Sequence, residues 1–146
     1  MKIILAILLI AATMPSATAQ KKNVFTINFI GKDIIRNKPL PDAEPLMAVV
    51  KKKTITEQVN KITITITEAE PKKDWYRVFI FNNEDGQEIY RVAEKTTSGT
   101  YTEKIRFPGD YKNGVVKIIT MTLPKDEAVA ATMRLRTFPL ATITVN

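Results

Sequence analysis

The acid–base groups left to this chain are carboxylates and lysines. Its 146 residues contain no cysteine and no histidine. Serine occurs only at Ser16 and Ser98. That excludes disulfides, thiolate metal sites, histidine general bases and the usual serine or cysteine nucleophile arrangements. Two acidic groups stand out. Glu68 and Glu70 end a threonine-rich alternation with Asp74 just beyond, and Glu84, Asp85 and Glu88 crowd a turn. Glycosidase chemistry needs two carboxylates about 5–10 Å apart across a sugar, and either group could span that. Calcium wants six to eight oxygens, but the second group lacks the D-x-D-x-D-G spacing. Acids at strand ends more simply keep turns solvated. Ser98 sits in Thr96-Thr97-Ser98-Gly99-Thr100, a turn composition whose one lysine, Lys95, is only a sequence neighbour. We therefore expect no catalytic residue, metal or cofactor, and no enzyme.

Binding chemistry is better represented. Lys51, Lys52 and Lys53, together with Lys21, Lys22 and Lys61, form the sharpest charge feature. They read either as a patch for an anionic partner, such as a lipopolysaccharide phosphate or an acidic glycan, or as lysines guarding an edge strand against aggregation. Nucleic acid is not expected, because no aromatic residue lies between Val49 and Asn60 to stack on bases. For a sugar platform the candidates are Trp75, Tyr76, Tyr90, Tyr101 and Tyr111. Tyr111, between Asp110 and Lys112, is the one expected on the surface. Trp75 adjoins the apolar run Val78-Phe79-Ile80 and reads equally as core. The candidate binding residues are thus Lys51, Lys52, Lys53, Tyr111 and Trp75.

The folded part of the chain is expected to begin after residue 19. Lys2, the apolar run Ile3–Ala12, Pro15 and the small residues Ala17 and Ala19 make a secretory signal peptide cleaved before Gln20. The run is shorter than the roughly 20 apolar residues that span a bilayer, and no later stretch is long enough either, so no transmembrane span is expected. Residues 20–146 form one domain. Formal charge is +7 for the whole chain, with the basic excess concentrated before Ile62. Animal secreted domains of this size usually carry cysteines, so a bacterial periplasmic or extracellular location is expected.

Hydrophobic period two dominates this domain. Val24–Ile30 alternates with Phe25, Ile27 and Phe29 on one face. Lys61–Thr67 sets three isoleucines against three threonines. Tyr76–Phe81 is dense enough for a central strand, and Glu88–Val92 returns after an Asp85-Gly86 turn as a hairpin. Thr100–Phe107 and Val115–Leu123 flank a Pro-Gly and Asn-Gly turn cluster. Lys32–Pro45, with three prolines, reads as a long loop. Met47–Thr56 is an ambiguous strand, and Pro124–Ala131 a connection with room for one helical turn. Thr132–Val145 reads as two strands or one bent at Pro139, where proline argues for an edge or a bulge.

From Ile62 to Met121 the order is strand, Asp74-Trp75, strand, the Asn82-x-x-x-Gly86 turn, Ile89-Tyr90, Ser98-Gly99-Thr100-Tyr101, Gly109 to Gly114, and a last strand. This cadence resembles the small secreted immunoglobulin-like β-sandwich proteins of Gram-negative gut bacteria. It is also similar to the sandwich domains that act as C-terminal sorting signals on larger secreted proteins. Unlike antibody domains, the chain has no cysteine pair flanking Trp75. The resemblance implies a single immunoglobulin-like β-sandwich of seven to nine antiparallel strands and carries no site residues with it. The function expected is a secreted or periplasmic, non-enzymatic binding or structural module acting through a sheet edge or end loops, with a protein or glycan partner at the cell envelope. The alternatives are a carbohydrate-binding module using Tyr111 and Trp75, and a hydrolase using Glu68, Glu70 or Asp74.

Overall fold

The computed structural model of the protein describes residues 22–29, 31–51, 59–97, 100–106 and 114–146. The regular structure among these residues is nearly all β. In order the chain forms β1 (Val24–Phe29), β2 (Lys32–Pro39), β3 (Leu46–Val50), β4 (Val59–Thr67), β5 (Trp75–Asn82), β6 (Glu88–Lys95), β7 (Thr100–Arg106), β8 (Gly114–Pro124), one short helix α1 (Glu127–Thr132) and β9 (Phe138–Val145). Two sheets result, one of four strands in the order β2-β1-β4-β7 and one of five in the order β3-β9-β8-β5-β6. No helix among the described residues is long and apolar enough to cross a membrane.

The alternation read from the sequence builds the interface between the sheets. Phe25, Ile27 and Phe29 of β1 lie directly opposite Ile66, Ile64 and Ile62 of β4. All six are buried in one cluster with Phe79, Phe81, Val116, Ile118 and Ile143 of the other sheet. The threonines between those isoleucines face outward, as an antiparallel sheet with one wet face requires. β5 is buried on both faces. Phe79 and Phe81 point into the cluster, while Val78 and Ile80, on the opposite face, are 3% and 9% exposed. That double burial explains its dense apolar run.

Three expectations need correction. Lys32–Pro45 is not all loop, because Lys32–Pro39 is a strand paired with β1. Only Ile34 and Ile35 turn toward the core, and the register is broken twice, so no alternation shows in the sequence. The strands are not all antiparallel either, since β3 runs parallel to β9. Those two strands are far apart in the chain, so no hairpin fixes their sense. Residues 133–137 precede β9 rather than forming a strand before Pro139. Pro139 does sit at a bulge. The β8–β9 register slips between Ile118 and Ile119, which face Ala141 and Pro139 and leave Leu140 as the extra residue, so a residue without an N–H interrupts the ladder where it is already broken.

The predicted β5–β6 hairpin is present. Gly86 takes φ +82°, and the Asn83 N–H donates to the Gln87 carbonyl at 2.9 Å. The left-handed conformation costs a residue with a Cβ about 1–2 kcal/mol. Gly86→Ala, with open space around its new methyl, should lower stability by that strain alone, read as a shift in urea midpoint without a change in slope.

Candidate functional site

The starts of β1, β3, β5 and β9 and the ends of β2, β4, β6 and β8 meet at one end of the two sheets. There they enclose an open cleft of about 910 Å³. Its floor is a buried ion pair. Arg77 falls on the inward parity of β5 with Phe79 and Phe81, and Glu68 follows the last residue of β4. The guanidinium donates through Nη2 to Glu68 Oε2 at 2.9 Å and through Nε to Oε1. Its Nη1 donates to Thr120 Oγ1 at 3.1 Å, and that hydroxyl donates to the Val78 carbonyl. The two charged side chains are 4% and 6% exposed. One fork thus ties an acid from the four-stranded sheet to β5 and β8 of the other.

The walls are tied just as closely. Asn23 Oδ1 accepts from the Ala69 N–H at 2.7 Å, and its carbonyl accepts from Leu40 N–H. The buried Thr96 hydroxyl accepts from the Lys72 N–H at 3.0 Å and donates to the Lys72 carbonyl at 2.6 Å. Trp75, half-buried in the wall, carries the Lys72 ammonium 4.3 Å from its ring centroid, an attraction of the ring's negative face for a cation. Lys22, Lys38 and Lys72 stand on the rim against Asp42 and Glu70, while Leu40, Leu46 and Phe138 supply apolar surface. The cleft is therefore a mixed apolar and charged concavity on a fixed base.

Of the candidates named from sequence, Trp75 lies in the cleft. Lys51 does not. It is exposed just past Val50, at the far end of β3 from the cleft-lining Leu46. Lys52, Lys53 and Tyr111 lie outside the described residues, as do Lys21 and Ser98. Glu68 and Glu70 both line the cleft, whereas Asp74 does not. In the other acidic group, Glu88 is held by Arg91 at 2.8 and 2.7 Å, and the guanidinium keeps its carboxyl below the usual carboxylate range. No cluster of three or more metal-ligating side chains occurs among the described residues.

Sequence reading passed over Arg77, Thr96, Asn23 and Phe138. Arg77 had a legible signal. A charge in step with Phe79 and Phe81 must find a buried partner, and Glu68 at the end of the neighbouring alternation was available. Asn23 and Thr96 act through backbone contacts that no pattern marks.

No protein-family model matches the chain, and no curated protein matches it. What the fold and the site define on their own is an all-β protein of two facing sheets with a cleft at one end.

Proposed function

We propose that the chain is a secreted or periplasmic, non-enzymatic binding module of immunoglobulin-like type, and that the end cleft takes its ligand, a glycan carrying acidic groups. The observation that carries this is the Trp75–Lys72 pair in the cleft wall. The indole offers apolar surface to a sugar ring, and the ammonium held over one of its faces answers a carboxylate or sulfate. Lys22 and Lys38 add positive charge on the same rim. The immunoglobulin-like reading is supported by connections that repeatedly cross between the sheets, as from β2 to β3, β4 to β5 and β6 to β7.

Catalysis is not part of this reading. Both Glu68 oxygens are committed to Arg77. Asp42 and Glu70 are exposed, without the apolar pocket that lets a carboxyl act as a general acid. Export rests on the charge, apolar run and small residues of positions 1–19. Terminal sequencing of the exported protein should begin at Gln20.

A glycan array probed with the protein should light on acidic oligosaccharides. Trp75→Ala and Lys72→Ala should each weaken the signal about tenfold, a loss of about 1.4 kcal/mol. A blank array, or equal binding by Trp75→Ala, would sink the proposal.

A further inference from the structure

β3 is a sheet edge of an unusual kind. It ends the five-stranded sheet, paired to β9 on one side with no other strand beside it among the described residues. Natural edges are blunted by charge, proline or bulges, because unpaired N–H and C=O groups invite another strand. β2 follows that rule, with Arg36, Lys38 and Pro39, a left-handed Asn37 and two register breaks. So does β6, with Glu88, Arg91, Glu94 and Lys95. β3 is short, at five residues, but within the strand it has no charge, proline or bulge. Leu46-Met47-Ala48-Val49-Val50 runs in unbroken register with β9, and its outward Met47 and Val49 are 68% and 63% exposed.

The flanks of β3 say what would pair with it. Asp42 and Glu44, both exposed, precede the strand, and the run Lys51-Lys52-Lys53 follows it. We propose that a second copy of this chain pairs there, antiparallel about Ala48, joining two five-stranded sheets into one. Met47 of each copy then lies opposite Val49 of the other, on one face. Asp42 and Glu44 of each copy then lie on the side where Lys51 of the other leaves the strand. A parallel pairing would set like charges together, which cross-strand energetics disfavour. The acid–apolar–base order is complementary to itself only when reversed, and the twofold symmetry of a homodimer supplies that reversal. Five residues make a small interface, so the dimer is a weak one, of the class below about 1,200 Å².

Sedimentation of the full chain, expressed from Met1 and purified in the processed form the cell yields, tests this. The protein should shift from monomer to dimer as its concentration rises toward millimolar. Val49→Lys, exposed in the monomer, should remain monomeric throughout while melting like the parent. Two charge variants cover the case in which Val49→Lys fails to fold. Asp42→Lys/Glu44→Lys and Lys51→Glu/Lys52→Glu/Lys53→Glu should each be monomeric alone, and should form a heterodimer when mixed. A parent that stays monomeric at millimolar concentration overturns the proposal. So does a Val49→Lys variant that dimerises as the parent does, or a mixture of charge variants that does not associate. Trp75→Ala should leave the dimer intact, so the glycan reading and this one fail separately.

Discussion

Glu68→Gln should cost the fold about 3–5 kcal/mol, the range for removing one partner of a buried ion pair. The carboxylate is the only acid contacting Arg77 among the described residues, and both of its oxygens are used. An amide can accept one of those two hydrogen bonds and brings no charge, so a guanidinium 4% exposed is left without a compensating charge. Stability of a domain this size is of order 5–15 kcal/mol, so the loss should be plain in a urea titration. The double variant Glu68→Leu/Arg77→Met removes the charge on both sides. It should recover most of the loss, because a buried pair replaced by apolar groups of similar volume is often neutral. Glu88→Gln breaks a pair of similar geometry at the surface and should leave the midpoint where it was, since exposed ion pairs contribute little. If Glu68→Gln proved as mild as Glu88→Gln, the floor of the cleft would not be the clamp described here. The comparison also bears on function. Loosening the floor would free the walls that carry Trp75 and Lys72, so, if the proposed glycan site is correct, Glu68→Gln should also weaken binding there.

Strands with one wet face were the most legible part of this molecule. β1 and β4 show their inward residues by period alone, because every second side chain meets the opposite sheet and the others meet water. The Asp85-Gly86 turn was legible because only a residue tolerant of positive φ fits there. β2 was not, since an edge strand with two bulges buries too few residues to impose a period. Nor was the parallel sense of β3, which depends on where the C-terminal strand comes to rest. The cleft was half legible. Trp75, Glu68 and Glu70 were marked as chemically interesting, but what joins them is a meeting of strand ends from across the chain, and no local spacing encodes it. The lysine run was read as either a binding patch or edge protection. The structure places Lys51 directly after the edge strand β3 rather than within it.

Phe79→Ala should be comparably severe, at about 3–5 kcal/mol for a buried phenylalanine cut to alanine. Phe79 is 0% exposed. Its strand lies between β8 and β6, with Thr120 and Val92 directly opposite on the two sides. Neighbours on both sides hold the backbone in place, so the cavity cannot close by a strand shift, and residual cavity volume is what raises the cost. Thr65→Ala is the matched control. It lies on β4 between Ile64 and Ile66, but it is exposed, and it should stay within about 0.5 kcal/mol of the parent. Urea midpoints at constant slope would separate the two. The contrast tests more than one side chain. If one wet face is what the alternating strands encode, exposed positions on β4 should tolerate change that no buried position on β5 tolerates. Equal costs at Phe79 and Thr65 would mean that the two sheets do not face each other across this core.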